Sequence, residues 1–138
     1  MRSITEQDVR AFIDAWFDAV RDKRPLADQQ HFFAPGVGID TWAGATLSLE
    51  QQIAIHDTLA DEAHVINSLT LEPLADGRVR AVAEVTWEAT KTVGDRGRIV
   101  ADAGEDWTIE RGPDGECRFA RYLTSSMRYR PGSAELEI

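Results

Sequence analysis

Apolar residues return every three or four positions early in the chain: Val9, Phe12, Ile13, Trp16, Phe17 and Val20 share one broad face. That spacing predicts an amphipathic helix. Thr5 with Asp8 three residues on predicts a capping arrangement, and acids in the first turn suit the helix dipole. Arg21, Lys23 and Arg24 close the helix and Pro25 stops it. A shorter helical piece over 26–33 ends at Ala34-Pro35-Gly36, and 37–42 reads as a short strand broken by Gly44. Ser48 with Gln51 predicts a second capping box, opening a helix over 48–60.

The period then changes from helical to alternating. Residues 65–74 are strand-like and end at Ala75-Asp76-Gly77, a hairpin signal. Val79, Ala81, Ala83, Val85, Trp87 and Ala89 alternate with a mostly polar set, which predicts a long strand with one buried face. Gly94-Asp95-Arg96-Gly97 turns the chain into a strand over 98–110, with an irregularity expected at Ala103-Gly104. Gly112-Pro113-Asp114-Gly115 turns it again into a last strand over 117–129. Helices first and an antiparallel meander afterwards define an α+β class with the helices on one face. Bulged strands curve, and a curved sheet closed by helices leaves a concave space.

At 138 residues the chain suffices for one domain with a real core, expected over 1–130 and followed by a frayed or partner-dependent tail over 131–138. The net charge of −9, from 24 acidic and 15 basic residues, opposes nucleic-acid binding, and no basic stripe offsets it. No window is long and apolar enough to span a bilayer, and the opening residues carry no apolar leader, so a cytoplasmic location is expected. Cys117, the single cysteine, has no internal partner for a disulfide.

The order of these elements, with Val37-Gly38-Ile39-Asp40-Thr41-Trp42 ahead of the third helix and residues 104–123 near the end, resembles the nuclear transport factor 2-like superfamily. Within it the chain is most similar to SnoaL-like and ketosteroid isomerase-like proteins. The resemblance covers residues 5–129. It implies a cone, or cystatin-like α+β barrel: a strongly curved antiparallel sheet wrapped around N-terminal helices, with an apolar pocket at one end. It also implies a homodimer and either proton chemistry on an apolar oxygenated molecule, as in an isomerase, cyclase or dehydratase, or a non-catalytic ligand-binding or dimerisation module. Such a fold hosts many functions, so the site must decide among them.

The resemblance assigns a proton-shuttling base to Asp40 and a second, protonated acid to Asp106. It puts Trp16 where isomerase-like members carry a tyrosine, and an indole N–H donates a hydrogen bond but has no phenol chemistry. Alternation alone puts Asp40 with Trp42 on one face of its strand; the other reading of Asp40 is a solvated rim carboxylate. Alternation also sends Glu105 inward if Trp107 and Ile109 face the core, so periodicity and resemblance differ at 105 and 106. His56 falls near the centre of the apolar arc of Leu49, Ile53, Leu59 and Ala60, where an imidazole serves as acid or base near neutral pH, or packs as a bonded core histidine. Trp16, Trp42, Trp87 and Trp107 suit a flat or polycyclic apolar ligand, or simple core packing, and Tyr122 is a further candidate donor. His31, His56 and His64 lack metal-ligand spacing and no glycine-rich loop follows a strand, so neither metal nor other cofactor is expected. Cys117 and Ser125-Ser126 lie mid-strand without the surroundings of a nucleophile. Val82, Thr86 and Thr90 mark a partly apolar outer patch for the expected dimer.

Overall fold

A computed structural model describes residues 2–137. Helix α1 (Glu6–Arg21) starts at the anticipated cap: the Asp8 amide donates to Thr5 Oγ1 at 3.1 Å, and the Thr5 amide donates to Asp8 Oδ2 at 2.9 Å. Its apolar face buries Val9, Ile13, Trp16, Phe17 and Val20. The helix stops short of Pro25 because Lys23 takes a left-handed backbone, with φ of 54°. Helix α2 (Leu26–Gln30) follows.

The expected strand over 37–42 is instead a small hairpin. Strands β1 (Ile39–Asp40) and β2 (Thr46–Leu47) pair antiparallel across the turn at Gly44. Helix α3 (Leu49–His56) carries the second capping box, with the Gln51 amide donating to Ser48 Oγ at 3.1 Å and the Ser48 amide to Gln51 Oε1 at 2.8 Å. It ends at His56, four residues before the expected boundary, since Leu59 already starts β3 (Leu59–Pro73).

Strands β3, β4 (Val79–Lys91), β5 (Arg98–Arg111) and β6 (Cys117–Tyr129) form the antiparallel meander, and β1 adds parallel to β6. The sheet order is β2-β1-β6-β5-β4-β3, curved and unclosed. Its curvature has local causes. On β6 an extra residue, Ser125, falls between the pairs Gly104–Ser126 and Glu105–Thr124. A side chain at Gly104 would meet Ser126 Oγ at 2.6 Å, so only glycine lets the bulged strand come this close. On β3, Asp61 and Glu62 together oppose one residue of β4, and Asp61 adopts φ of 50°.

The concave face takes up α1, and the main core joins α1 to Val85, Trp107, Ile109, Phe119 and Tyr122. A second cluster groups Leu59, Trp87, Ala89, Ile99 and Ala101 at the other end. Residues Ala134 and Leu136 pack on it, Leu136 bonding through its amide to the Tyr129 hydroxyl at 3.0 Å. These two residues of the tail are thus docked on the sheet. Among the described residues no helix is long and apolar enough to cross a membrane.

Candidate functional site

The bulge at Asp61-Glu62 sets the chemistry of the cavity. By adding one residue to the strand, it turns Glu62 inward, where its side chain has no solvent exposure. A carboxylate buried this way must be compensated. Three groups do so. His56 Nδ1 lies 2.7 Å from Glu62 Oε1, Trp87 Nε1 donates to the same oxygen at 3.1 Å, and Lys23 Nζ donates to Oε2 at 2.7 Å. Lys23 also donates to the His56 carbonyl at 2.6 Å, tying the end of α1 to the end of α3. Burial alone would raise the Glu62 pKa, but the hydrogen bonds from His56 and Lys23 and the charge of Lys23 outweigh it and hold the carboxyl at about 2.

An ionised Glu62 fixes the histidine tautomer. Nδ1 carries the proton and donates to the carboxylate, which leaves the Nε2 lone pair free to accept. Nε2 accepts from the Gln52 side-chain amide, 2.9 Å away and one helical turn earlier. The result is an imidazole held by a carboxylate, with its second nitrogen presented to a polar group at the cavity wall.

That cavity lies between α1, α3 and the concave face of the sheet. Trp16, Trp42, Trp87, His56, Glu105 and Tyr122 are among its lining residues, and Leu136 of the docked tail is another. Its free volume is about 70 Å³. That is about half of the ~150 Å³ that admits benzene in an engineered protein cavity, so a monocyclic ligand requires some outward movement and a polycyclic one does not fit.

Glu105 and Tyr122 supply a second polar cluster. The Thr124 hydroxyl faces both oxygens of Glu105, at 3.0 and 3.2 Å, and among the described residues no cation pairs with it. Burial pushes the Glu105 carboxyl up to about 8, against the hydrogen bond from Thr124, so at neutral pH it is largely a protonated acid. The Tyr122 hydroxyl accepts from Trp16 Nε1 at 3.4 Å. Burial raises its pKa above the ordinary phenol value, which keeps the proton in place as a donor.

The two expected carboxylates lie elsewhere. Asp106 does not line the cavity: its bidentate pair with Arg80, at 3.0 and 2.7 Å, and its contact with Arg121 put it on the outer face, and Arg80 holds its carboxyl below the usual range. Its neighbour Glu105 takes the inward position, as alternation against Trp107 requires. Asp40 sits at the edge of the hairpin, accepting from Thr46 Oγ1 at 2.6 Å, while Ile39, Thr41 and Trp42 face the cavity. Trp107 is core rather than lining, fully buried with its N–H unpartnered among the described residues. Trp16, Trp42, Trp87, Tyr122 and His56 do converge. Glu62, Lys23 and Gln52 escaped sequence reasoning, because a bulge and a left-handed helix end leave no periodic signal.

The sequence matches no protein-family model and no curated protein sequence. Solved structures do match along nearly the whole chain. A scytalone dehydratase-like protein of Novosphingobium aromaticivorans is similar with a TM-score of 0.77 and 9% identity, over 95% of this chain and 88% of its own. The hexachlorocyclohexane dehydrochlorinase LinA-type3 of Novosphingobium barchaimii gives 0.71 and 14%, over 96% and 94%. ActVI-ORFA of Streptomyces coelicolor gives 0.65 and 12%, over 89% and 95%. The chain has the nuclear transport factor 2-like fold. The cavity has the sheet as its wall and α1 and α3 as its closure. Identities this low carry the fold and nothing of the chemistry.

Proposed function

We propose that the cavity binds a small, neutral, largely apolar molecule bearing a carbonyl or hydroxyl, and moves a proton on it by isomerisation or elimination. The observation that carries this reading is the imidazole of His56 held by the buried carboxylate of Glu62 at the wall of an apolar cavity. His56 Nε2 takes a proton from the carbon next to the carbonyl, once the ligand displaces the Gln52 amide. The imidazolium that forms is stabilised by Glu62, whose charge is already in place. Negative charge moves to the ligand oxygen, where the protonated Glu105 and the Tyr122 hydroxyl are the donors on this side of the cavity. Returning the proton to another carbon completes an isomerisation; expelling a neighbouring hydroxyl, with Glu105 giving up its proton, completes a dehydration. Two of the similar folds bear the names of elimination enzymes, a dehydratase and a dehydrochlorinase, which supports a reaction of this type.

A non-catalytic binding module of the same fold is the alternative, favoured by the Gln52 amide that already occupies Nε2. A homodimer through the outer sheet face, where Val82 is exposed, remains part of the proposal and is read by sedimentation. The test begins with a thermal-shift panel of neutral monocyclic ketones and hydroxyketones, in which a ligand at 100 times its dissociation constant adds about 2.7 kcal/mol. Binders should stabilise the wild-type protein and not Ala103→Leu, which fills the cavity; His56→Gln should keep binding and lose turnover. An equal response from the filled variant, or turnover retained without His56, rejects the reading.

A further inference from the structure

A second histidine faces the same cavity and takes no part in the scheme above. His64 follows Glu62 by two residues on β3, so both point to the concave side, and its cross-strand partner is Trp87. The ring stacks flat on Phe17, with centroids 4.2 Å apart and planes 9° from parallel, which fixes its orientation. It lines the cavity alongside His56, Glu105 and Tyr122. The other titratable groups of the wall are all partnered: His56 by Glu62 and Gln52, Glu105 by Thr124, and Tyr122 by Trp16. Among the described residues neither ring nitrogen of His64 is hydrogen-bonded.

Resting on the proposed function, we infer that His64 is the polar anchor of the ligand, an uncharged imidazole that hydrogen-bonds the ligand's neutral oxygen. Burial holds the ring uncharged, pushing its pKa down to about 3; the charge of Glu62 opposes this, and that of Lys23 reinforces it. An uncharged imidazole offers one donor and one acceptor, so it serves a carbonyl through N–H or a hydroxyl through its lone pair. It offers nothing to a hydrocarbon, which on binding would cover the half-buried ring and leave its nitrogens unsatisfied. A carboxylate ligand is disfavoured too, since among the described residues no lysine or arginine lines the cavity, and Lys23 is committed to Glu62. The anchor therefore selects a neutral oxygen function, while His56 is kept for proton transfer.

The test compares phenol with toluene, two probes of similar shape that differ in the oxygen. Dissociation constants are measured by ligand-observed NMR on the wild-type protein and on His64→Phe, which preserves the stack on Phe17 and removes both nitrogens. The wild-type preference for phenol relative to toluene should fall about tenfold in the variant, the loss of one hydrogen bond. In the wild-type protein, phenol and not toluene should shift the ring nitrogen resonances of His64, a readout independent of whether the variant folds. An unchanged preference, or His64 resonances that ignore phenol, overturns the anchor while leaving the cavity reading intact. Failure of both probes to bind the wild-type protein overturns the cavity reading itself.

Discussion

Replacing Glu105 by glutamine tests whether the cavity keeps a carboxylic acid protonated. In the folded state the carboxyl titrates at about 8, against 4.5 when exposed. The folded protein therefore holds a proton that the unfolded chain releases in this window. The contribution to stability is intact below pH 4.5 and is lost as the pH rises through about 8. A difference of roughly 3.5 in pKa, at ~1.4 kcal/mol for each, sets an upper bound of about 5 kcal/mol. Relaxation and water entry on ionisation reduce such values, so a loss of about 2–4 kcal/mol is expected. Glutamine has nearly the same shape, still accepts from Thr124, and does not titrate. Urea denaturation of both proteins at pH 5 and pH 8.5 gives the difference in which all other titrating groups cancel. The variant should gain about 2–4 kcal/mol relative to wild type between the two pH values. A difference constant to within about 0.5 kcal/mol would mean that Glu105 is ionised throughout, and the proposed oxygen donor would be lost with it.

Other outcomes follow from the same geometry. Glu62→Ala leaves Lys23, His56 and Trp87 without their acceptor and should cost about 3–5 kcal/mol in chemical denaturation, with Glu62→Gln losing clearly less. Since the Glu62 pKa is lowered from 4.5 to about 2, its contribution is present above pH 4.5 and lost as the pH falls through about 2, a loss that an acid titration followed by circular dichroism should show in the wild-type protein and not in Glu62→Gln. Asp106→Asn and Asp40→Asn should leave turnover of any ligand within about twofold in a steady-state assay, because neither side chain lines the cavity. Leu136→Ala should cost roughly 1–2 kcal/mol, below the 2–5 of a fully buried leucine, and should speed ligand association measured by stopped-flow tryptophan fluorescence.

Both capping boxes, the four long strands and their turns were legible because each rests on local chemistry: Thr5 with Asp8, Ser48 with Gln51, glycine-rich turns, and strict alternation through β4. Alternation also placed Glu105 correctly, against the resemblance that favoured Asp106. What stayed hidden depends on interrupted periods. The strand β3 begins six residues before its alternation becomes visible, since Asp61 in a left-handed conformation adds a residue that period-two reasoning does not count. Glu62 therefore fell between the expected helix, ending at 60, and the expected strand, starting at 65, when it is the buried partner of His56. Asp40 stayed open between a pocket and a rim reading for a related reason. The strand around it is only two residues long, so alternation has too little length to fix a face, and the hairpin to Thr46 turns the carboxylate away. His64 was seen only as a poor metal ligand, because its stack on Phe17 joins α1 to β3 across 47 positions (64 less 17) and leaves no local mark.

The most direct measurement follows deuterium uptake from D₂O at the carbon beside the carbonyl of a neutral cyclic ketone that binds, read by proton NMR. The wild-type protein should accelerate the exchange well beyond buffer, Glu62→Gln should retain part of the acceleration, and His56→Gln none. Exchange no faster than in buffer, or equally fast without the imidazole, would contradict the assignment of proton transfer to His56 and Glu62.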